Sequence, residues 1–481
     1  MNHLRAITEL FAALDRHAIR YCHWKSNQHL DEALAGKTDL DVLVDGAQAG
    51  ACRQVLHMTG CKQVLAQPSA RYAGIEDWLV FDGQTGRLGH IHLHFRIMTG
   101  GTPKRYHVPA EQWLLSQRVS LFNVAIPAHA RELIMLIVRI ALKARYRDLS
   151  KTLLRPACGV LSAAVKAELD WLLARVDPDD ISPQLQASGL PLDASALLGF
   201  LERYRAGRIT PPYLLGFKIQ MTRSLKNCRT ASGSIFSCRR AGACLKALWR
   251  YAPKKKTLHA RGLFFALVGA DGSGKTTLAL DLAAWLGWKL ETNVLYFGIP
   301  KSAGLYGFFT NARQRADMFT TQCLRRRLGP AARFFEGCSR MLNALLWVYV
   351  AWYRFALSRR AQAFIKKGGV VIGERFPLRH FNAMEEPMDG ARLQKHPQGL
   401  LLFRLERFFY TRILMPDRLI VLQAGVDVLN ARKPNAFPQR LREKADAVNS
   451  IRADAHTVTV DAEASYASVT LAVKTAVWEM L

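Results

Sequence analysis

The stretch "GADGSGKTT", Gly269 to Thr277, decides how this chain is read. It fits G-x-x-x-x-G-K-[ST], follows the apolar run "LFFALV" (263–268) and opens "KTTLALDLAAWL" (275–286), which has a helical pattern. A buried strand, a glycine loop and a helix start are the context in which this motif cradles phosphate. Glycines allow a tight turn and a close approach of backbone to anion. The first N–H groups of the helix have no partner within it and point at the ligand. Gly269, Gly272, Ser273, Gly274, Lys275, Thr276 and Thr277 are therefore the candidate nucleotide-binding residues. Lys275 is expected to reach the terminal phosphates and Thr276 to ligate magnesium, so ATP and Mg2+ are the expected cofactors. Asp271 is an anion inside an anion-binding loop. It must face away from phosphate, and a second, acceptor substrate is its natural partner.

Outward from the loop, strand patterns alternate with helical ones: "GLFFALVG", "NVLYFG", "GGVVIG", "RLIVLQ" and "TVTVD". That alternation predicts an α/β domain, a doubly wound parallel sheet covered on both faces, over residues 257–481. Residues 1–128 mix helix and strand signals, among them "TDLDVLV" and "LGHIHLHF", and read as an α+β domain. Residues 129–205 carry apolar residues at three- and four-residue spacing and read as a helical extension. Residues 206–256 are basic and read as a linker. The apolar run Met341–Tyr353 is too short to span a bilayer, which takes about 20 residues, and reads as a buried core helix, with Arg354 ending the run.

The loop resembles that of the thymidylate kinase family, whose loops often carry an acid before the second glycine. "YRFALSRRAQAFIKKGGVVIGERF" resembles the family's helix and the strand ending in Asp-Arg-Tyr or Asp-Arg-Phe, here Glu374-Arg375-Phe376. "MPDRLIVLQAGVDVLNARKPN" resembles its next strand and arginine-bearing lid, and the C-terminal 25 residues its closing strand and helix. The resemblance implies that Glu374 holds magnesium or orients the acceptor and that Arg375 binds the acceptor. It also implies that Arg432 and Lys433 close over the ATP phosphates, with Arg440 and Arg442 as further lid residues. Lys275, Asp271, Glu374, Arg375 and Arg432 are then the catalytic candidates. Glu374 stands where the family has Asp, and "PLRHFNAMEEPMDGARL" does not resemble a thymidylate-binding segment. The acceptor is accordingly left as a nucleoside monophosphate such as dTMP, or a sugar or glycolipid hydroxyl in surface-polysaccharide metabolism.

A second constellation lies in "YCHWKSNQHLDEALAGKTDLDVLVD" (21–45). Asp39 and Asp41 are two apart in a strand, so both project from one face. Paired carboxylates of this kind hold divalent metal for nucleotidyl transfer. The stretch resembles the nucleotidyltransferase superfamily, in which a Gly-Ser turn precedes the Asp-x-Asp strand and a later strand gives a third acid. Here Lys25 replaces the glycine before Ser26, and His92 stands at the third position. Ser26, Asp39, Asp41 and His92 are the candidate second site. His90, His92 and His94 share a face and, with the two aspartates, suit a zinc-like metal better than magnesium. Arg71, Arg87 and Arg96 are candidate anion contacts.

The chain of 481 residues carries a formal net charge of +29, with no acid between Glu202 and Asp271. Such a balance points to anionic partners: nucleotides, an anionic membrane surface reached through the basic stretch and, less favoured because aromatics there are sparse, nucleic acid. The nine cysteines form no C-x-x-C pair, and the N-terminus has no signal-peptide pattern. A cytoplasmic protein is expected, with docking at the inner membrane face open. The sequence fixes no oligomeric state, and a homodimer is compatible with it. Three functional readings stand: a P-loop kinase, a nucleotidyltransferase using Asp39 and Asp41 with the P-loop as ATP sensor, and a non-enzymatic ATP-gated adaptor on a membrane surface.

Overall fold

The computed structural model describes residues 2–67, 70–100, 106–144, 160–230, 254–300, 304–378, 397–434 and 438–481. The chain divides into two compact units, Met1–Lys254 and Lys255–Leu481.

In the C-terminal unit five strands form one wholly parallel sheet. They are β6 (Phe264–Gly269), β7 (Thr292–Tyr296), β8 (Val370–Glu374), β9 (Arg418–Gln423) and β10 (Thr457–Asp461), in the order β7-β8-β6-β9-β10. All six residues of β6 and all five of β8 are buried, which is what continuous apolar runs between helices predict for central parallel strands. The helices are α8 (Lys275–Gly287), α9 (Leu305–Arg325), α10 (Gly329–Ile365), α11 (Pro397–Tyr410), α12 (Val426–Arg432), α13 (Pro438–Asn449) and α14 (Tyr466–Met480). Leu357, Ala361 and Phe364 of α10 pack in one cluster with Phe264, Ala266 and Val268 of β6.

Helix α10 has 37 residues and is about 55 Å long at 1.5 Å per residue. The run Met341–Tyr353 lies inside it but is not buried all round. Ala344, Leu346, Val350 and Ala351 are inside, whereas Trp352 is 47% exposed. Arg354 ends the apolar run but not the helix. It sits buried within it, donating from Nε to Phe297 O at 2.8 Å and from Nη1 to the Tyr410 hydroxyl. Long arginines satisfied by carbonyls can occupy a core face.

In the N-terminal unit β1 (Tyr21–His23), β2 (Asp39–Val44), β3 (Lys62–Leu65), β4 (Ile75–Asp82) and β5 (Arg87–His94) pair in the order β1-β2-β5-β4-β3. Only β2 and β5 run parallel. Helix α1 (Arg5–Arg16) lays Ile7, Leu10, Phe11 and Leu14 into the core cluster that contains Trp78 and Ile91, and α2 (Ala49–Met58) adds Val55 and Leu56. A helical layer follows, centred on α3 (His129–Lys143), in which every residue from Ala130 to Leu142 is buried. Helices α4 (Ala163–Leu173), α5 (Ile181–Ser188), α6 (Ala194–Arg205) and α7 (Pro211–Ser224) contribute Leu169, Leu185, Phe200 and Phe217 to the same cluster.

Helix α7 corrects the reading of 206–256 as linker throughout. Thr210 caps it through a bond from Tyr213 N, prolines fill its first turn, and Leu214, Phe217 and Met221 are buried. The dense basic charge hid an apolar stripe at three- and four-residue spacing. Even a base is structural there: Lys218 Nζ donates to the carbonyls of Ala141 and Leu142, terminal acceptors of α3. Residues 231–253 of the basic stretch lie outside the described residues.

Candidate functional site

The glycine loop sits at the carboxyl end of β6, where open parallel sheets bind ligands. Gly272 and Gly274 have φ of +91° and +85°, values glycine adopts without a Cβ penalty. At Gly272 the demand is double, because a Cβ would lie 2.6 Å from Leu429 O of α12. Helix α8 starts directly after Gly274 with no side-chain cap, so its first-turn N–H groups are the donors an anion would meet. Ser273 is buried and Thr277 exposed.

Lys275 is buried, and its Nζ donates to Ala270 O at 2.6 Å and reaches Ser273 Oγ at 3.3 Å. Burial pushes its pKa down to about 8, against the pull of Asp271. An ammonium so placed is under-neutralised, and a phosphate oxygen is the charge that would relieve it.

Glu374 ends β8, in register with Leu267 of β6. It accepts a short hydrogen bond from Thr276 Oγ1. A hydroxyl and a carboxylate side by side are hard oxygen donors, the set magnesium takes in phosphate-binding sites. The residues present therefore fit that ion, and the extra methylene of Glu over Asp is taken up in reaching Thr276.

The residue after Glu374 adopts an uncommon conformation. Arg375 has φ +57°, which is strained for a side chain of its size. Its Nη2 donates to Asp271 Oδ1 at 2.9 Å, and its guanidinium lies 5.9 Å from the Tyr296 ring centroid. Lys444 Nζ of α13 reaches Asp271 Oδ2 at 3.4 Å. Burial opposes charge on Asp271, but Arg375, Lys444 and Lys275 hold its carboxyl below the usual range. Asp271 is thus held between two cations, Arg375 and Lys444.

The lid candidates fare differently. Arg432 ends α12 and donates from Nη1 to Ala462 O at 2.7 Å, and Lys433 is exposed. Arg440 and Arg442 lie on exposed positions of α13, while Lys444, three residues after buried Leu441, is the cation brought to the loop. Its place beside the Leu441–Ala445–Val448 stripe is the signal that would have found it. The acceptor-segment residues 379–396 lie outside the described residues.

In the N-terminal unit the parallel register sets Asp39 beside His90 and Asp41 beside His92. Asp41 Oδ1 lies 3.1 Å from His92 Nδ1, 3.3 Å from His94 Nε2 and 2.8 Å from Lys25 Nζ. Asp41, His92 and His94 are a trio close enough to share a metal ion. Burial works against charge on Asp41, yet Lys25 and the two histidines hold its carboxyl well below the usual range. Burial pushes His94 down to about 4. Asp39 is not a member of that trio. His90 is buried between Asp39 and Asp77, 3.0 Å from each, out of line for a hydrogen bond to Asp39. Ser26 (φ +58°) gives its N–H to Glu168 at 2.9 Å, and Asn27 gives its N–H and Nδ2 to Glu132. Arg139 Nη1 pairs with Glu168 at 3.1 Å. Glu132 and Glu168 escaped the sequence reading because only the fold brings two distant helices to the turn at 24–27, where Lys25 stood out only as a departure from glycine. Arg71 turns back on Ala66 O, and Arg87 and Arg96 are exposed.

A buried parallel strand, a loop with two left-handed glycines and an uncapped helix start define an α/β domain of the P-loop type. No protein-family model matches the chain. It is 26% identical to the "Uncharacterized ATP-binding protein YghR" of Escherichia coli strain K12, over 42% of this chain and 82% of the relative. The protein of the same name from Escherichia coli O6:H1 (strain CFT073) matches equally. Among solved structures it is similar to a deoxyadenosine kinase from M. mycoides with bound dATP (10% identity, TM-score 0.27, 45% of this chain and 99% of that one). It is also similar to a thymidylate kinase from Candida albicans (17% identity, TM-score 0.28, 46% and 91%). The fold rests on strand order and loop geometry.

Proposed function

We propose that this chain is a magnesium-dependent kinase that transfers the γ-phosphoryl group of ATP to a small acceptor held beside Asp271 and Arg375. The observation that carries the proposal is the Lys275–Thr276–Glu374–Arg375–Asp271 constellation at the carboxyl ends of β6 and β8. The ATP-binding name of the E. coli relative agrees with it. Loop amides and Lys275 bind the β- and γ-phosphates, and Thr276 with Glu374 would hold the metal. Bound magnesium would neutralise phosphate charge. Arg375 supplies positive charge where negative charge develops in transfer, the need that dominates phosphoryl-transfer catalysis. Asp271, ionised and facing the acceptor side, accepts the hydrogen bond of an acceptor hydroxyl and orients it for in-line attack. A nucleoside monophosphate or a sugar or glycolipid hydroxyl meets these requirements.

The test is transfer from γ-labelled ATP to a panel of nucleoside monophosphates, sugars and lipopolysaccharide fragments, with Lys275→Ala as control. A labelled product lost in Lys275→Ala supports the proposal. Wild-type transfer by that variant, or no saturable ATP–magnesium binding by the intact chain, ends it.

A further inference from the structure

Helices α9 and α10 form a hairpin whose turn carries a dense mixture of bare apolar and basic groups. From Met318 to Phe335 the sequence is "MFTTQCLRRRLGPAARFF": four arginines (Arg325, Arg326, Arg327, Arg333) and no acid. Leu324, Leu328 and Phe334 are 62%, 50% and 66% exposed. All four arginines are exposed as well. The hairpin is packed internally only in part, Phe319 remaining 48% exposed. Phe335 stacks on Phe319 at 5.2 Å and Ala332 is buried, so Phe334 is turned outward, edge-on to Phe335. Arg327, with φ +57°, makes the reversal between the helices and keeps three consecutive guanidinium groups at the tip.

Exposed apolar side chains clustered with a single sign of charge mark an interaction surface. The occupant follows from the chemistry. A second copy would bring like-charged tips together. Nucleic acid would satisfy the arginines but offers nothing to Leu324 and Leu328. A bilayer surface rich in anionic lipid satisfies both, taking the leucines and Phe334 below the headgroups and the guanidinium groups among the phosphates. No described helix is long and apolar enough to cross a membrane, so the contact is interfacial.

We propose that the α9–α10 turn is a membrane-docking tip that seats on anionic phospholipid. Each arginine near such a surface strengthens partitioning about fivefold, and partial burial of two exposed apolar side chains adds about tenfold or more. The proposal does not depend on the kinase reading, because its assay uses no nucleotide. The test is co-sedimentation of the full chain with vesicles of phosphatidylcholine alone or mixed with phosphatidylglycerol. Two variants are compared, Arg325→Glu/Arg326→Glu/Arg327→Glu and Leu324→Ser/Phe334→Ser. All five positions are exposed, and unchanged thermal unfolding confirms that the fold is kept. The expected result is binding to mixed vesicles only, reduced at least a hundredfold by the charge reversal and about tenfold by the serine pair. The serine pair keeps every charge of the chain, so its loss separates insertion from attraction of the basic segment elsewhere. Wild-type vesicle binding by either variant overturns the proposal. So does absence of wild-type binding to mixed vesicles, or binding to RNA that the serine pair leaves intact while vesicles are ignored.

Discussion

Two glycines of the phosphate loop differ in a way that can be measured. Both have left-handed φ, but a methyl group at Gly274 meets nothing within 4 Å, whereas at Gly272 it would stand 2.6 Å from Leu429 O. Gly274→Ala therefore carries only the conformational penalty, about 1–2 kcal/mol. Gly272→Ala carries that penalty plus displacement of the loop from α12, an overpacking cost of about 1–3 kcal/mol. The total for Gly272→Ala is about 2–5 kcal/mol. Because the loop amides must keep their aim, most of the extra term should appear in ligand binding. ATP–magnesium affinity should fall about tenfold for Gly274→Ala and roughly a further ten- to hundredfold for Gly272→Ala, at about 1.4 kcal/mol per decade. Titration calorimetry reads the affinities, and thermal unfolding reads the stability difference. If Gly272→Ala is no worse than Gly274→Ala in both assays, the contact with α12 is not a constraint and the loop geometry is wrong.

Asp271→Asn removes the charge that binds Arg375 and Lys444. It should slow transfer at least tenfold while ATP affinity holds or rises, because the loop becomes more positive; steady-state kcat and KM separate the two. Glu132 is pushed up to about 7 by burial, so the native state keeps a proton that the unfolded chain releases near pH 4.5. Its contribution is full below that pH and is lost as pH rises toward about 7, about 3 kcal/mol in all. Glu132→Gln should flatten that slope in denaturant unfolding curves measured from about pH 4.5 to 8, and an unchanged slope refutes the assignment. Arg354→Met leaves Phe297 O and buried Glu406 without their cation. It should destabilise the C-terminal unit by about 2–4 kcal/mol, seen as a lower Tm.

The parallel sheet was legible because each of its strands is a short apolar run between helical patterns, and β6 announces the loop that follows. Lys275, Thr276 and Glu374 were legible because motif and strand ends fix their positions. Lys444 was not, since its approach to Asp271 depends on how α13 packs. In "WKSN" the sequence showed Lys25 only as a departure from a glycine. The structure makes it the counter-charge of Asp41, 2.8 Å away, a pairing set by where β1 ends relative to β2. Glu132 and Glu168 look like ordinary helix residues in sequence. Only their burial against the 24–27 turn reveals a polar network. The helix α7 was missed because charge density outweighed periodicity.

The backbone at Arg375 has a corollary. A left-handed arginine costs about 1–2 kcal/mol. Glycine or asparagine in its place would recover that energy while giving up the guanidinium beside Asp271. On the role proposed for Arg375, such a replacement relieves backbone strain but gives up both the ion pair with Asp271 and a cation for transfer. On that reading, backbone ease and phosphoryl transfer make opposite demands at this one position.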